Sequence, residues 1–265
     1  MTEALSLAKY PGNVAKYRLA LDMAQALRQR IGARVLDVGC VGPGRPLELW
    51  RPFLEDDTLD FRLVGVDVAG IDETLCQMAG ARWSARVELL EGSAYELDRL
   101  LGEQQFEFLV STQVLEHLAR YPRFIAGAAR HVLPGGEVFL TLDSAHFGGK
   151  FPARRPALLG KRVAKALLAR LGNESHYDIP LYDRELEREF ERAGLAVRTR
   201  RYYNLGPLKA LHNHVLPESE RDRFLETWWE LEEMLNRATV FGEHEKSLFR
   251  CLYYHLRKSP IPAQA

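Results

Sequence analysis

No charge of one sign dominates this chain: 36 lysines and arginines face 36 aspartates and glutamates. That balance excludes bulk attraction to nucleic acid or to an acidic partner, so electrostatic recognition must be local. Cysteine is scarce. Cys40, Cys76 and Cys251 are odd in number and widely spaced, with no CxxC pair. That pattern suits a reducing compartment and argues against a disulfide frame or a zinc site. Long apolar runs are missing too. Nothing approaches the roughly 20 residues of a membrane span, and the opening MTEALSLAKYPGNVAKY lacks the apolar stretch of a signal peptide. The expectation is a cytoplasmic protein with no metal, no transmembrane segment and no nucleic-acid partner. Repeats and low-complexity tracts are absent as well.

What is present is an ordinary globular mix, 46% hydrophobic over 265 residues, enough for one large domain with insertions. A leading helix is expected over 12–31, with Leu19, Met23, Ala26, Leu27 and Ile31 at helical spacing. Short apolar runs follow: VLDV (35–38), RLVGVDV (62–68), VELL (87–90), FEFLV (106–110) and EVFLTL (137–142). Runs of this kind suit strands buried on both faces. A helix after Pro122 is expected to stop at Pro134-Gly135-Gly136. A second lies within 181–194, where Asp183 can cap it and Leu186 and Phe190 give it an inner face. LAVRTRRYY (195–203) and SLFRCLYYHLRK (247–258) then read as strands. The fold class is α/β: a doubly wound, Rossmann-like seven-stranded sheet, mostly parallel, with the last strand antiparallel. Residues 1–32 form an N-terminal helical segment and 33–258 the main domain. Insertions 143–180 and 204–246 serve as substrate cover, and 259–265 as a tail.

The stretch RVLDVGCVGPGRP (34–46) ends a buried strand with an acid and three glycines within six residues. Glycines there admit positive φ and let backbone N–H groups approach a ligand. From Gly39 the spacing is G-x-x-G-x-G, so the G-x-G-x-x-G dinucleotide fingerprint fails. The Lys-Ser or Lys-Thr pair of a P-loop is also missing. Asp67, closing LVGVDV, can hold both hydroxyls of a ribose, because a carboxylate offers several acceptor sites. The ligand therefore reads as a nucleoside gripped by its sugar. The plainer alternative is a tight turn, with Asp67 capping the next helix.

Taken with EGSA (91–94), VLEHL (114–118) and LPGG (133–136), these motifs resemble the class I S-adenosylmethionine-dependent methyltransferases. The likeness is to a branch, similar to ubiquinone-biosynthesis enzymes, that acts mostly on small molecules. It covers roughly 33–143 and continues more weakly through 175–195. The resemblance implies S-adenosylmethionine as cofactor and S-adenosylhomocysteine as product. It also implies a cofactor set of Asp37, Gly39, Cys40, Val41, Gly42, Gly44, Asp67, Val68, Gly92, Ser93, Ala94, Thr112, Gln113 and His117. Asp67 would take the ribose, Val68 the adenine face, and Ser93 and Ala94 the adenine edge. Thr112, Gln113 and the glycine loop would lie against the methionyl end. Two positions depart from the family pattern: Val41 stands where a third glycine is usual, and Ser93 where an aspartate is common.

Methyl transfer from a sulfonium needs alignment and desolvation, and a base only if the acceptor carries a proton. His146, just past the fifth strand, and His117 in LEHL are the candidate bases. The acceptor is expected to be a small molecule or conjugated metabolite, with oxygen favoured as the receiving atom. A non-catalytic cofactor-binding module and a nicotinamide-dependent oxidoreductase are the alternatives. Seven cations, Lys150, Arg154, Arg155, Lys161, Arg162, Lys165 and Arg170, precede the first acid of the insertion, Glu174. This stretch, 150–171, reads as a surface for an anionic or lipid-linked substrate or for peripheral membrane contact, or more plainly as a solvated basic face balanced by the acidic helix 218–233.

Overall fold

The computed structural model describes residues 10, 13–42, 45–147, 160, 181–238 and 241–260. Gly44 and the basic stretch 150–171, apart from Gly160, lie outside them. Seven strands form one sheet: β1 (Ala33–Val38), β2 (Phe61–Asp67), β3 (Val87–Glu91), β4 (Phe106–Thr112), β5 (Val132–Asp143), β6 (Leu195–Leu205) and β7 (Phe249–Lys258). Their order is β3-β2-β1-β4-β5-β7-β6. The pairs β1–β2, β1–β4, β2–β3 and β4–β5 are parallel, while β7 runs antiparallel to both its neighbours. The reversal at β1 carries the chain out on both sides, and in such sheets ligands bind at the carboxyl ends there.

Two apolar layers follow from the period-two alternation of strand side chains. Val35, Phe108 and Tyr253 face one layer with α1 (Val14–Arg28), α2 (Arg51–Leu54) and α3 (Ile71–Met78). Leu36, Leu109 and Tyr254 face the other, with α4 (Leu97–Leu101), α5 (Tyr121–Arg130) and α6 (Asp183–Arg192). In α1 the inward positions Leu19, Met23 and Leu27 are buried, whereas Ile31 lies beyond the helix and is 91% exposed.

Several local expectations are corrected. The glycine loop after β1 does not run directly into a helix. It folds into a short antiparallel ribbon, Val41–Gly42 against Arg45–Pro46, and α2 starts only at Arg51. Leu133-Pro134-Gly135-Gly136 lies inside β5, where the register to β4 slips between Phe106 and Phe108. Extra residues on one strand of a pair make a bulge, and Gly135 (φ +76°) supplies its left-handed turn. Asp183 is the first residue of α6 rather than its cap, which is Tyr182. The 204–246 region contains α7 (Gly206–His214), α8 (Glu218–Ala238) and α9 (Glu243–Lys246). Its aromatics anchor it to the domain: Trp228 is fully buried, and Phe241 packs on Tyr202 and Phe249. Among the described residues no helix is long and apolar enough to cross a membrane.

Candidate functional site

The carboxyl ends of β1, β2 and β4 open onto a crevice of about 650 Å³, within the range of small-molecule sites. Its floor depends on Gly39, which takes φ +86° as the chain leaves β1. A Cβ built there would stand 2.2 Å from Val114 Cγ2, so a side chain is excluded by contact as well as by conformation. Gly39→Ala is expected to cost about 2 kcal/mol, the sum of left-handed strain and a displaced Val114 methyl. Urea unfolding measures the loss, and an unchanged midpoint would contradict the packing described.

Asp67 pins the ribbon to β2. Its Oδ2 accepts from Val41 N and its Oδ1 from Val68 N, each at 2.8 Å. Both carboxylate oxygens thus hold backbone, but Asp67 does not cap α3, whose cap is Gly70 with no side-chain hydrogen bond. The carboxylate still keeps acceptor capacity beyond these backbone bonds, and Asp67 lines the crevice. Burial raises its carboxyl, opposed by the backbone donors Val41, Val68 and Ala69. Beside it Val68 is 67% exposed, an apolar face set at the edge of the cleft.

Asp37 lies deeper, 2% exposed, with Trp50 Nε1 donating to Oδ2 at 2.5 Å. Its Oδ1 is buried without a hydrogen-bond partner. Burial pushes this carboxyl up to about 7, against the pull of the Trp50 bond and the Lys16 charge. An orphaned buried acceptor is costly, and a cationic donor in the crevice would satisfy it. Cys40 also lines the site, but burial pushes its thiol far up, so it is no thiolate nucleophile. On the β4 side Gln113 holds φ +55°, a sparsely populated region for a residue with a side chain. Its N–H donates to Thr141 O at 2.7 Å, and its Nε2 reaches Asp143 Oδ1 at 3.5 Å.

Asp37, Gly39, Cys40, Val41, Asp67, Val68, Gly92, Ser93, Ala94, Thr112, Gln113 and His117 all line this one crevice. Gly42 lies in the ribbon. Lys16, Glu48, Leu49 and Leu118 line the crevice too and were not anticipated. Lys16 comes from the leading helix, away from the glycine loop in sequence, whereas Glu48 follows that loop closely, and no local pattern marks either.

His146 is placed elsewhere. It is 5% exposed and absent from the described crevice lining. Its Nε2 lies 3.0 Å from Asp183 Oδ1 and its Nδ1 3.1 Å from Glu243 Oε2. Tyr202 OH and Lys246 Nζ reach the second oxygen of Asp183 at 2.6 and 2.9 Å. The ring therefore joins the end of β5 to α6, β6 and α9. Among the described residues, His117 is the histidine on the crevice.

Residues 13–200 match a family model described as a methyltransferase domain. A ubiquinone biosynthesis O-methyltransferase of Nitrobacter winogradskyi is 26% identical over 177 residues, 66% of this chain. The chain spans 60% of that relative's length. An S-adenosylmethionine-dependent methyltransferase from Mesorhizobium loti superposes with a TM-score of 0.55 at 15% identity, covering 92% of this chain and 98% of that one. A geranyl diphosphate C-methyltransferase from Streptomyces coelicolor, solved with Mg2+, geranyl diphosphate and S-adenosyl-L-homocysteine, gives 0.55 at 12% identity, covering 91% and 81%. At these identities the structural likeness is one of fold.

Proposed function

The chain belongs to the class I S-adenosylmethionine-dependent methyltransferases, and from that premise we propose that it methylates a small-molecule or conjugated-metabolite acceptor, with oxygen as the receiving atom. The cofactor of this family is S-adenosylmethionine; when bound, it supplies a sulfonium methyl group for in-line displacement. The observation that carries the reading is the pair of acids in one crevice, Asp67 at the mouth and Asp37 beneath it with an unpartnered oxygen. Asp67 would take the ribose hydroxyls with its remaining acceptor directions, and Val68 would cover the adenine. Ser93 and Ala94 would border the adenine edge. Asp37 would accept from the ammonium of the methionyl end, which supplies a donor for its orphaned oxygen.

The protein's own contribution is alignment and exclusion of water. Gly39 keeps the floor open, and the strained Gln113 fixes the wall where β4 ends. Where the acceptor delivers a proton, His117 is the histidine available on the crevice. His146 serves instead to position the end of β5. The preference for oxygen draws on the O-methyltransferase named above. An anionic acceptor is favoured because seven cations of 150–170 follow directly in sequence from the end of β5.

Thermal-shift titration tests the cofactor site. S-adenosylmethionine and S-adenosylhomocysteine are expected to raise the melting temperature, and NAD to leave it unchanged. Asp67→Ala should weaken either adenosyl ligand by roughly 10- to 100-fold, the worth of hydrogen bonds to a charged group. No shift on well-folded protein, or an equal shift with NAD, sinks the proposal. Labelled-methyl incorporation into a metabolite pool then identifies the acceptor.

A further inference from the structure

We propose that the side-chain amide of Gln113 recognises a proton-bearing nucleophile on the methyl acceptor, a hydroxyl foremost, and that Asp143 turns the amide to that task. The assignment rests on the cofactor reading above. That reading gives the ends of β2 and β3 to the adenosyl group and the end of β1 to the methionyl ammonium. Of the strand ends on the crevice this leaves β4, where Thr112 and Gln113 stand. The acceptor meets the sulfonium methyl there.

Elementary chemistry fixes which way the amide faces. An ionised carboxylate accepts hydrogen bonds and cannot donate them. Gln113 therefore turns its Nε2 toward Asp143 Oδ1, at 3.5 Å. Cys251 Sγ lies 3.7 Å from the same oxygen. Burial and the charge of Asp143 push that thiol far up, so it stays protonated and is a second donor. With its NH2 group committed to Asp143, Gln113 keeps its amide oxygen for the crevice it lines. A contact of 3.5 Å is at the long end of the hydrogen-bond range. The amide can thus settle on a ligand while the charge of Asp143 sets its sense.

The backbone beneath is held in a rarely populated state. Gln113 has φ +55°, and outliers of this kind persist where the surroundings over-determine them, commonly at functional sites. Here β5 ties the residue twice. Thr141 O accepts from Gln113 N at 2.7 Å, and Asp143, two residues on, takes the side chain. Asp143 is fixed in turn, its N–H donating to Glu116 Oε1 at 3.2 Å and its carbonyl accepting from Leu181 N at 3.3 Å. Asn204 of β6 reaches Cys251 Sγ with Nδ2 at 3.0 Å. A side chain fixed at both ends is preorganised, which limits the ordering cost of binding.

An amide oxygen accepts from O–H or N–H and offers nothing to a carbon nucleophile. Held by its hydrogen, the acceptor oxygen aims a lone pair at the methyl group. The oxygen–carbon bond forms as the carbon–sulfur bond breaks, and that electron pair stays on sulfur. The proton passes to His117 or to water, because an amide takes none. Gln113 touches the acceptor in this scheme, and Asp143 is a positioning residue.

Transfer of labelled methyl from S-adenosylmethionine into the metabolite pool, run beside S-adenosylhomocysteine calorimetry, tests both residues on the full chain. Gln113→Met should slow transfer at least about tenfold, in line with one hydrogen bond, and leave S-adenosylhomocysteine affinity within about twofold. Asp143→Ala should slow it roughly three- to tenfold. Asp143→Asn, whose side-chain oxygen still accepts from the amide, should recover most of the rate. The double variant should be no slower than Gln113→Met alone, since Asp143 acts through Gln113. Full transfer by Gln113→Met overturns the proposal, and so does label carried on carbon in the product. An equal loss of S-adenosylhomocysteine affinity does the same, by making Gln113 part of the cofactor wall. Additive losses in the double variant remove the role of Asp143. A parent protein that binds S-adenosylhomocysteine yet transfers no label sinks the acceptor reading itself, and this assignment with it.

Discussion

Asp37→Asn is expected to make the ligand-free protein more stable above neutral pH and its cofactor complex weaker. The native carboxyl is raised by burial to about 7, against an ordinary value near 4. A group raised in this way favours folding below its unfolded pKa. That contribution is lost as pH climbs from about 4 to about 7, after which the fold carries a buried charge. Asparagine never ionises, and its side-chain oxygen can still accept from Trp50 Nε1. At pH 8 the gain should be roughly 2–4 kcal/mol, and it should shrink toward nothing near pH 4. Cofactor affinity should move the other way. The ammonium favours ionised Asp37, so wild-type affinity rises as pH passes from 6 to 8, and the variant loses about 10- to 100-fold. Urea titrations at both pH values, with S-adenosylhomocysteine calorimetry alongside, test both halves. A variant less stable at pH 8 would remove the premise.

Asp183→Ala is expected to destabilise the domain by roughly 3 kcal/mol or more, because it strands buried groups that share one carboxylate. Asp183 is fully buried and takes His146, Tyr202 and Lys246. Burial alone would raise its carboxyl, but the hydrogen bonds from those three groups hold it far below the usual range. A lowered carboxyl gives its stability in full above about pH 4, and loses it as pH falls toward the native value. Wild type should therefore lose more stability between pH 5 and pH 3 than the variant does. At neutral pH the melting temperature should drop by roughly 6–12 °C. Cofactor affinity should stay close to wild type at temperatures where both are folded, since the cluster does not line the crevice. Parallel acid sensitivity in the two proteins would show that the carboxylate is not held as described.

Most of the crevice was legible because its residues sit in short motifs at strand ends. An apolar run, an acid and glycines are local signals, and the parallel topology converges them without further information. Asp67 ends β2 and Val68 follows it, Gly92 to Ala94 follow β3, and Thr112 and Gln113 sit where β4 ends. Lys16 carried no such mark, since on its own helix it is one more polar position. The role first expected of His146 rested on its place after β5. The carboxylates facing it belong to Asp183 and Glu243, 37 and 97 residues away, and nothing in the sequence pairs them with it.

The sequence by itself determined the layered α/β architecture, the antiparallel closing strand and the acid-plus-glycine edge on which a nucleoside would sit. Periodicity and turn chemistry act over a few residues, and here they agree with the global fold. Only the tertiary structure decided that the glycine loop closes as a ribbon pinned to Asp67 and that the N-terminal helix brings a cation to the crevice. It also decided that His146 faces the carboxylates of buried Asp183 and exposed Glu243. These are encounters between side chains distant in sequence, fixed by packing and by the need to pair buried charge, and no short stretch of chain encodes them.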